Sequence, residues 1–229
     1  MRRDIMKSIG RMVVSASLGL AAFGLLLFVP AATLHYWQAW VFLAVFAVST
    51  WIPSVYLIRT NPAALDRRMH VGPTAETRTL QRIVISVIFI SFPATFVLSA
   101  LDHRFGWSTV PPAVCLLGDA LVAIGLGLAM LVVIQNGYAA ANVTVEEGQT
   151  LVTSGLYGLV RHPMYTGNVI LMTGIPLALG SYWGLFFLLP GIAVLVLRIR
   201  DEEDLLIEEL SGYREYTTRV RYRLVPYVW

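Results

Sequence analysis

Apolar residues fill long uninterrupted stretches of this chain, and the polar residues gather between them. Apolar runs of about 18 residues or more can cross a hydrocarbon core. They predict membrane spans near Met12–Ala31, Gln38–Ile58, Ile83–Leu101 and Pro112–Ile134. Two shorter runs follow near Tyr165–Leu179 and Tyr182–Leu197, separated by Gly180 and Ser181, with Pro176 and Pro190 inside them. Their length and short connection predict a tight helical hairpin. After Arg198 the pattern changes: Ile199, Leu205, Leu206 and Leu210 stand among acids, the mark of an amphipathic helix lying in the cytoplasm. Gly212 is placed to end it. The expected fold is all-α, a polytopic transmembrane bundle of about six spans with a C-terminal amphipathic helix. Residues 1–134 supply four helices and residues 135–229 the portion with candidate chemistry, within one membrane domain.

Composition agrees with this pattern. The 229 residues are 57% hydrophobic and 14% charged, against about 25% charged in soluble domains. The mean hydropathy is +0.68. Little is left for a separate soluble domain. The single Cys115 lies in an apolar run, which excludes an intramolecular disulfide or a CxxC site and suits a buried structural thiol. The net charge of +3 does not indicate nucleic acid, because the basic residues flank the apolar spans as topology signals do. With the N-terminus inside, every Lys and Arg except Arg104 falls on the cytoplasmic side. That bias predicts six crossings with both termini in the cytoplasm, as in a bacterial inner membrane. The basic start and small-residue end of the first span also resemble a signal peptide. Its length favours an uncleaved anchor.

Two polar clusters interrupt the apolar background. The first runs from Gly155 to Gly167 and contains Tyr157, Arg161, His162, Pro163, Met164 and Tyr165. Pro163 suits the first turn of a helix, whose free N–H groups attract a carboxylate or phosphate. The two Tyr rings suit a purine-bearing ligand. An interfacial aromatic anchor, with Arg161 serving the charge bias, is the other account of the same residues. The second cluster runs from Arg198 to Glu209. Arg198 and Glu202 are four apart and share a helix face, so they can meet one ligand or each other. Asp201, Glu202, Glu203 and Asp204 could suggest a divalent cation. Contiguous acids on a helix diverge, so most of them are expected on a solvated face and no metal is expected. Asp119, inside the fourth span, is either a functional acid or a hydrated or hydrogen-bonded structural one. His35 and His103 are expected at the opposite interface.

Four motifs in order carry a resemblance. Thr150-Leu151-Val152-Thr153-Ser154-Gly155-Leu156-Tyr157, then Arg161-His162-Pro163-Met164-Tyr165-Thr166-Gly167, then Arg198-x-x-x-Glu202-Glu203, then Gly212-Tyr213-x-x-Tyr216 resemble the isoprenylcysteine carboxyl methyltransferase family, bacterial type. The resemblance spans Asn136 to Trp229; the first four spans share only hydrophobicity with it. It implies S-adenosylmethionine as methyl donor in a cytoplasm-facing pocket. By motif position, Asn142, Gln149, Thr150, Leu151, Val152, Tyr157, His162, Pro163, Met164, Tyr165 and Glu202 would contact that cofactor. Arg198 would hold the substrate carboxylate, and Arg198 and Glu202 would be the catalytic pair. Gln149 stands where the eukaryotic members tend to carry His.

The implied reaction is methylation of a lipophilic or prenylated acceptor entering from the bilayer. A methyl on sulfonium sulfur is already activated, so the protein mainly aligns donor and acceptor and excludes water. A carboxylate acceptor is ionised at neutral pH and needs no strong base. A phospholipid or other small-lipid acceptor is an alternative; a neutral amine would need Glu202 or Glu203 as base. The ending from Arg221 to Trp229 is also similar to that of sterol reductases, which use NADPH. A non-catalytic membrane scaffold is the remaining alternative.

Overall fold

The computed structural model describes residues 2–69, 78–139, 143–145 and 148–229. Asn142, the Glu146–Glu147 pair and the loop residues 70–77 therefore lie outside the described residues. Among the described residues, eight α-helices follow in order: α1 (Arg2–Ala31), α2 (Trp37–Thr60), α3 (Pro62–Met69), α4 (Thr79–Phe105), α5 (Pro112–Gln135), α6 (Pro163–Ala178), α7 (Leu188–Glu209) and α8 (Tyr213–Arg219). Short 3-10 turns at Gly155–Gly158 and Trp183–Phe187 precede α6 and α7. No strand occurs among the described residues.

Among the described residues, five segments are long and apolar enough to cross a membrane: Val14–Ala31, Trp37–Thr60, Thr79–Phe105, Pro112–Gln135 and Trp183–Glu209. Large apolar side chains such as Leu18, Ile52, Ile90 and Leu189 are exposed on them, as expected of surfaces facing lipid rather than water. The chain is an integral membrane protein with a helical bundle. The remaining predicted span, α6, has only 16 residues. At 1.5 Å per residue it is about 24 Å long, shorter than the hydrocarbon core.

Two sequence expectations change in detail. The tight helical pair is α5 with α6, not α6 with α7. Gly118 and Gly125 on α5 face Gly174 and Gly167 on α6. A Cβ on Gly118 would lie 2.2 Å from the Ala178 backbone nitrogen, and one on Gly174 would lie 2.8 Å from the Gly118 carbonyl oxygen. Only backbone fits there. Such small-residue seams let helices associate in lipid, where no hydrophobic effect pulls them together. Second, the amphipathic segment is not a separate helix. It continues the last span as the second half of α7. Gly212, with φ +82°, starts the next turn after a brief break.

A buried apolar cluster that includes Leu27, Phe42, Phe96, Val122 and Ile175 joins α1, α2, α4, α5 and α6. At the end of the bundle away from α8, polar groups tie the helices together. Tyr36 donates to the Leu179 carbonyl at 2.6 Å and stacks on His103 at 3.8 Å. Asp102 accepts from Ser181 Oγ, Ser108 N and Ser108 Oγ. Cys115 is buried and free, as expected. Asp119 is buried, and neither of its carboxylate oxygens has a hydrogen-bond partner among the described residues.

The seam can be tested directly. Gly118→Ala is expected to lose about 1–3 kcal/mol of stability through overpacking. Gly127→Ala, on the same helix with nothing within 4 Å of the added Cβ, should be neutral or slightly stabilising. Thermal unfolding in detergent measures both, and equal midpoints would show that the seam tolerates a methyl group.

Candidate active site

The site is built where the α5–α6 pair, α7 and α8 converge. Gln135 ends α5, and its Oε1 accepts a 3.0 Å bond from Leu156 N. This pins the 3-10 turn that carries Tyr157. Gly155 opens that turn with φ +62°, and a Cβ there would lie 2.7 Å from Gln135 Oε1, so both backbone shape and space require glycine. Pro163 starts α6 as expected, and His162 is its N-cap residue.

Glu203 organises the polar half of the site. Its Oε1 accepts from Arg161 Nε at 2.6 Å and lies 3.1 Å from His162 Nε2. Its Oε2 accepts from Arg223 Nε at 2.9 Å. Arg161, His162 and Glu203 are each less than a tenth exposed. Arg161 Nη1 also donates to the Val220 carbonyl at 3.1 Å. The segment after α8 is stitched to the start of α6 by backbone: Arg161 N donates to Tyr222 O and His162 N to Arg223 O, both at 2.9 Å. Thr166 Oγ1 adds a 2.7 Å bond to the Leu224 carbonyl.

A second polar chain connects α4, α6 and α7. Arg198 Nε donates to the Tyr165 hydroxyl at 3.0 Å, and that hydroxyl donates to Glu202 Oε2 at 2.5 Å. Arg198 Nη1 donates to Gln81 Oε1 at 2.8 Å. Gln81 Nε2 donates in turn to Asp201, which also accepts from Arg78 Nε at 2.9 Å. That hydrogen bond keeps the Arg78 guanidinium above its ordinary pKa. The expectation that most of the four acids lie on a solvated face is corrected for Asp201 and Glu203, which are buried because cations from other segments meet them. Asp204 is exposed. No group of His, Cys and acidic residues suited to a metal occurs among the described residues.

A concavity opens beside these chains. Its volume is about 110 Å³. Gln149, Thr150, Leu151, Val152, Tyr157, His162, Pro163, Met164, Tyr165 and Glu202 all line it. These are ten of the eleven expected cofactor residues; the eleventh, Asn142, is outside the described residues. The lining also includes residues not assigned from sequence, among them Asn136, Tyr138, Arg161, Leu206, Tyr213 and Tyr216. Tyr213 and Tyr216 stood in a motif already quoted. Asn136 had no such signal, yet its Nδ2 lies 3.2 Å from the Tyr157 hydroxyl. Burial raises the Tyr157 phenol above its ordinary pKa, so it stays neutral.

Arg198 lines neither this concavity nor a second, mostly apolar one. It stands between them. The second cavity, about 240 Å³, lies among α4, α6 and α7 and is bounded by Ile88, Phe92, Leu171, Met172, Leu188 and Leu195 with Ser91, Thr95 and Asn168. On α7, Leu188, Gly191 and Leu195 of its lining fall on the helical face that continues to Arg198. On α6, Asn168, Met172 and Ile175 fall on the face that continues back to Tyr165.

Residues 113–212, less than half of the chain, match the family described as phospholipid methyltransferase. A Δ(14)-sterol reductase from Mus musculus is 40% identical over 85 residues, covering 36% of this chain and 20% of that protein. The cobalt-zinc-cadmium resistance protein CzcN from Cupriavidus metallidurans is 29% identical over 168 residues, 70% of this chain and 68% of that protein. A probable 7-dehydrocholesterol reductase from Acanthamoeba polyphaga mimivirus is 35% identical over 82 residues, 34% of this chain and 18% of that protein. The chain thus spans about a fifth of the length of the sterol reductases it is similar to.

Removing the central carboxylate should be costly. Glu203→Ala leaves Arg161 buried without its counter-charge, and an expected loss of about 3 kcal/mol or more follows. Glu208→Ala, on an exposed position of α7, should be near neutral. Unfolding midpoints in detergent compare the two; similar values would remove Glu203 from its organising role.

Proposed function

We propose that this protein is a membrane methyltransferase that uses S-adenosylmethionine to methylate a lipophilic acceptor, by resemblance the carboxylate of a prenylcysteine-like molecule. The observation that carries this is the convergence of four sequence-separated segments on one concavity. Residues 149–152, Tyr157, His162–Tyr165 and Glu202 share its lining. The match to the phospholipid methyltransferase family supports a methyltransferase acting on a lipid.

The chemistry of the lining suits this donor. Glu202 is the carboxylate that lines the concavity among the described residues, and its side chain is 23% exposed. It would attract the positive end of a sulfonium amino acid, while Tyr157 and the apolar Leu151 and Val152 offer surface to a purine. Bound there, S-adenosylmethionine would supply a methyl already activated by the positive sulfur. The residues then have to position rather than activate. Arg198, held by Tyr165 and Gln81 beside the apolar cavity, would orient an acceptor carboxylate arriving from the lipid side. With that donor held at Glu202 and the acceptor carboxylate at Arg198, the methyl would move from sulfur to a carboxylate oxygen, giving an ester and a neutral thioether with no proton released.

The similarity to sterol reductases favours a second reading, reduction with NADPH. The lining is less suited to it. NADPH carries several negative charges. Glu202 would repel them, and Arg161 already donates to Glu203 and to backbone carbonyls.

Calorimetry in detergent separates the two readings: S-adenosylhomocysteine is expected to bind and NADPH not to. Folded protein that binds NADPH alone would overturn the proposal. Incubation with labelled S-adenosylmethionine and a membrane lipid extract should then label an acid-bearing lipid. Arg198→Ala is expected to lower turnover about 100-fold or more while changing S-adenosylhomocysteine affinity less than about threefold, because it removes positioning of the acceptor rather than the donor. An active Arg198→Ala protein would refute the acceptor role.

A further inference from the structure

The two tyrosines of α8 use their hydroxyls differently. Tyr216 donates to the Tyr157 carbonyl at 2.7 Å and so braces the 3-10 turn. Tyr213, three residues earlier, is 3% exposed and lines the same concavity. Its hydroxyl has no hydrogen-bond partner among the described residues. Buried polar groups are rarely left unpaired, so on a residue of this lining the hydroxyl is an unspent donor. Two other buried groups on this lining are already engaged: Arg161 donates to Glu203 and to the Val220 carbonyl, and His162 Nε2 lies 3.1 Å from Glu203. Burial, then the charges of Glu203 and Glu202, raise the Tyr213 phenol above its ordinary pKa, so the hydroxyl keeps its proton.

An S-adenosyl amino acid brings an ammonium and a carboxylate on one carbon. If Glu202 receives the ammonium, the carboxylate comes to rest close by and needs a donor of its own. We propose that Tyr213 is that donor: its hydroxyl hydrogen-bonds the α-carboxylate of the S-adenosyl amino acid while Glu202 holds the ammonium. This rests on the concavity being the S-adenosylmethionine site. Tyr213 is then a binding residue that orients the amino-acid end of the donor, and through it the sulfur and its methyl.

Tyr213→Phe removes one oxygen atom and keeps the ring in its buried place. The full chain in detergent is titrated, as wild type and as Tyr213→Phe, with S-adenosylhomocysteine and with its decarboxylated analogue. The expected result is an affinity for S-adenosylhomocysteine about tenfold weaker in the variant, the scale of a lost hydrogen bond to a charged group. The decarboxylated analogue should bind both proteins equally. Equal S-adenosylhomocysteine affinity in the two proteins would overturn the proposal. So would an equal loss for both ligands, which would place the hydroxyl against another part of the molecule. A merely structural hydroxyl would shift the unfolding midpoint of the ligand-free protein and leave the dissociation constants alone. Wild type that binds neither ligand would instead sink the reading of the concavity itself.

Discussion

One carboxylate holds the candidate site together. Glu203 accepts from Arg161, His162 and Arg223, and so joins the loop before α6, the α6 cap, α7 and the segment after α8. A buried carboxylate is tolerable only with such company, and the same is true of the buried guanidinium of Arg161. Glu202, one residue earlier and turned about 100° around the helix, lines the concavity instead, with Oε2 accepting from the Tyr165 hydroxyl.

The scaffold beneath this cluster is held by contact rather than charge. The glycine seam brings the backbones of α5 and α6 together, and each helix presents one of its ends to the site. Gln135 at the end of α5 anchors the turn that carries Tyr157; His162 at the start of α6 meets Glu203. The spacing of seven residues within each helix, Gly118 to Gly125 and Gly167 to Gly174, keeps the small positions on one face over two turns. α7 adds the third wall. As one continuous helix it runs from the apolar cavity to the acids of the site.

Much of this was legible in the sequence, and the reasons for the rest are particular. Long apolar runs announced the five spanning segments, and motif order announced most of the lining. The glycine seam was present as a seven-residue spacing, but its meaning depends on a partner helix some fifty residues away. Four consecutive acids looked like a solvated face. Asp201 is buried because Arg78, 123 residues earlier, reaches it, and Glu203 because Arg161, 42 residues earlier, does. No local pattern reports such pairings. Gln81 belongs to the half of the chain without a recognisable motif, and only the folded bundle brings it to Arg198.

The stitching of Tyr222 and Arg223 to Arg161 and His162 has a consequence for the order of assembly. Those backbone bonds close a loop of about sixty residues, and contacts so far apart in sequence carry an entropic cost that local helix formation does not. During synthesis the helices can insert and pair one after another. The last lining residues, Tyr213 and Tyr216, belong to α8, and the segment that braces the start of α6 follows them, so both leave the ribosome after the helical frame. A nascent chain in the membrane therefore holds its helical frame before the concavity is closed and braced.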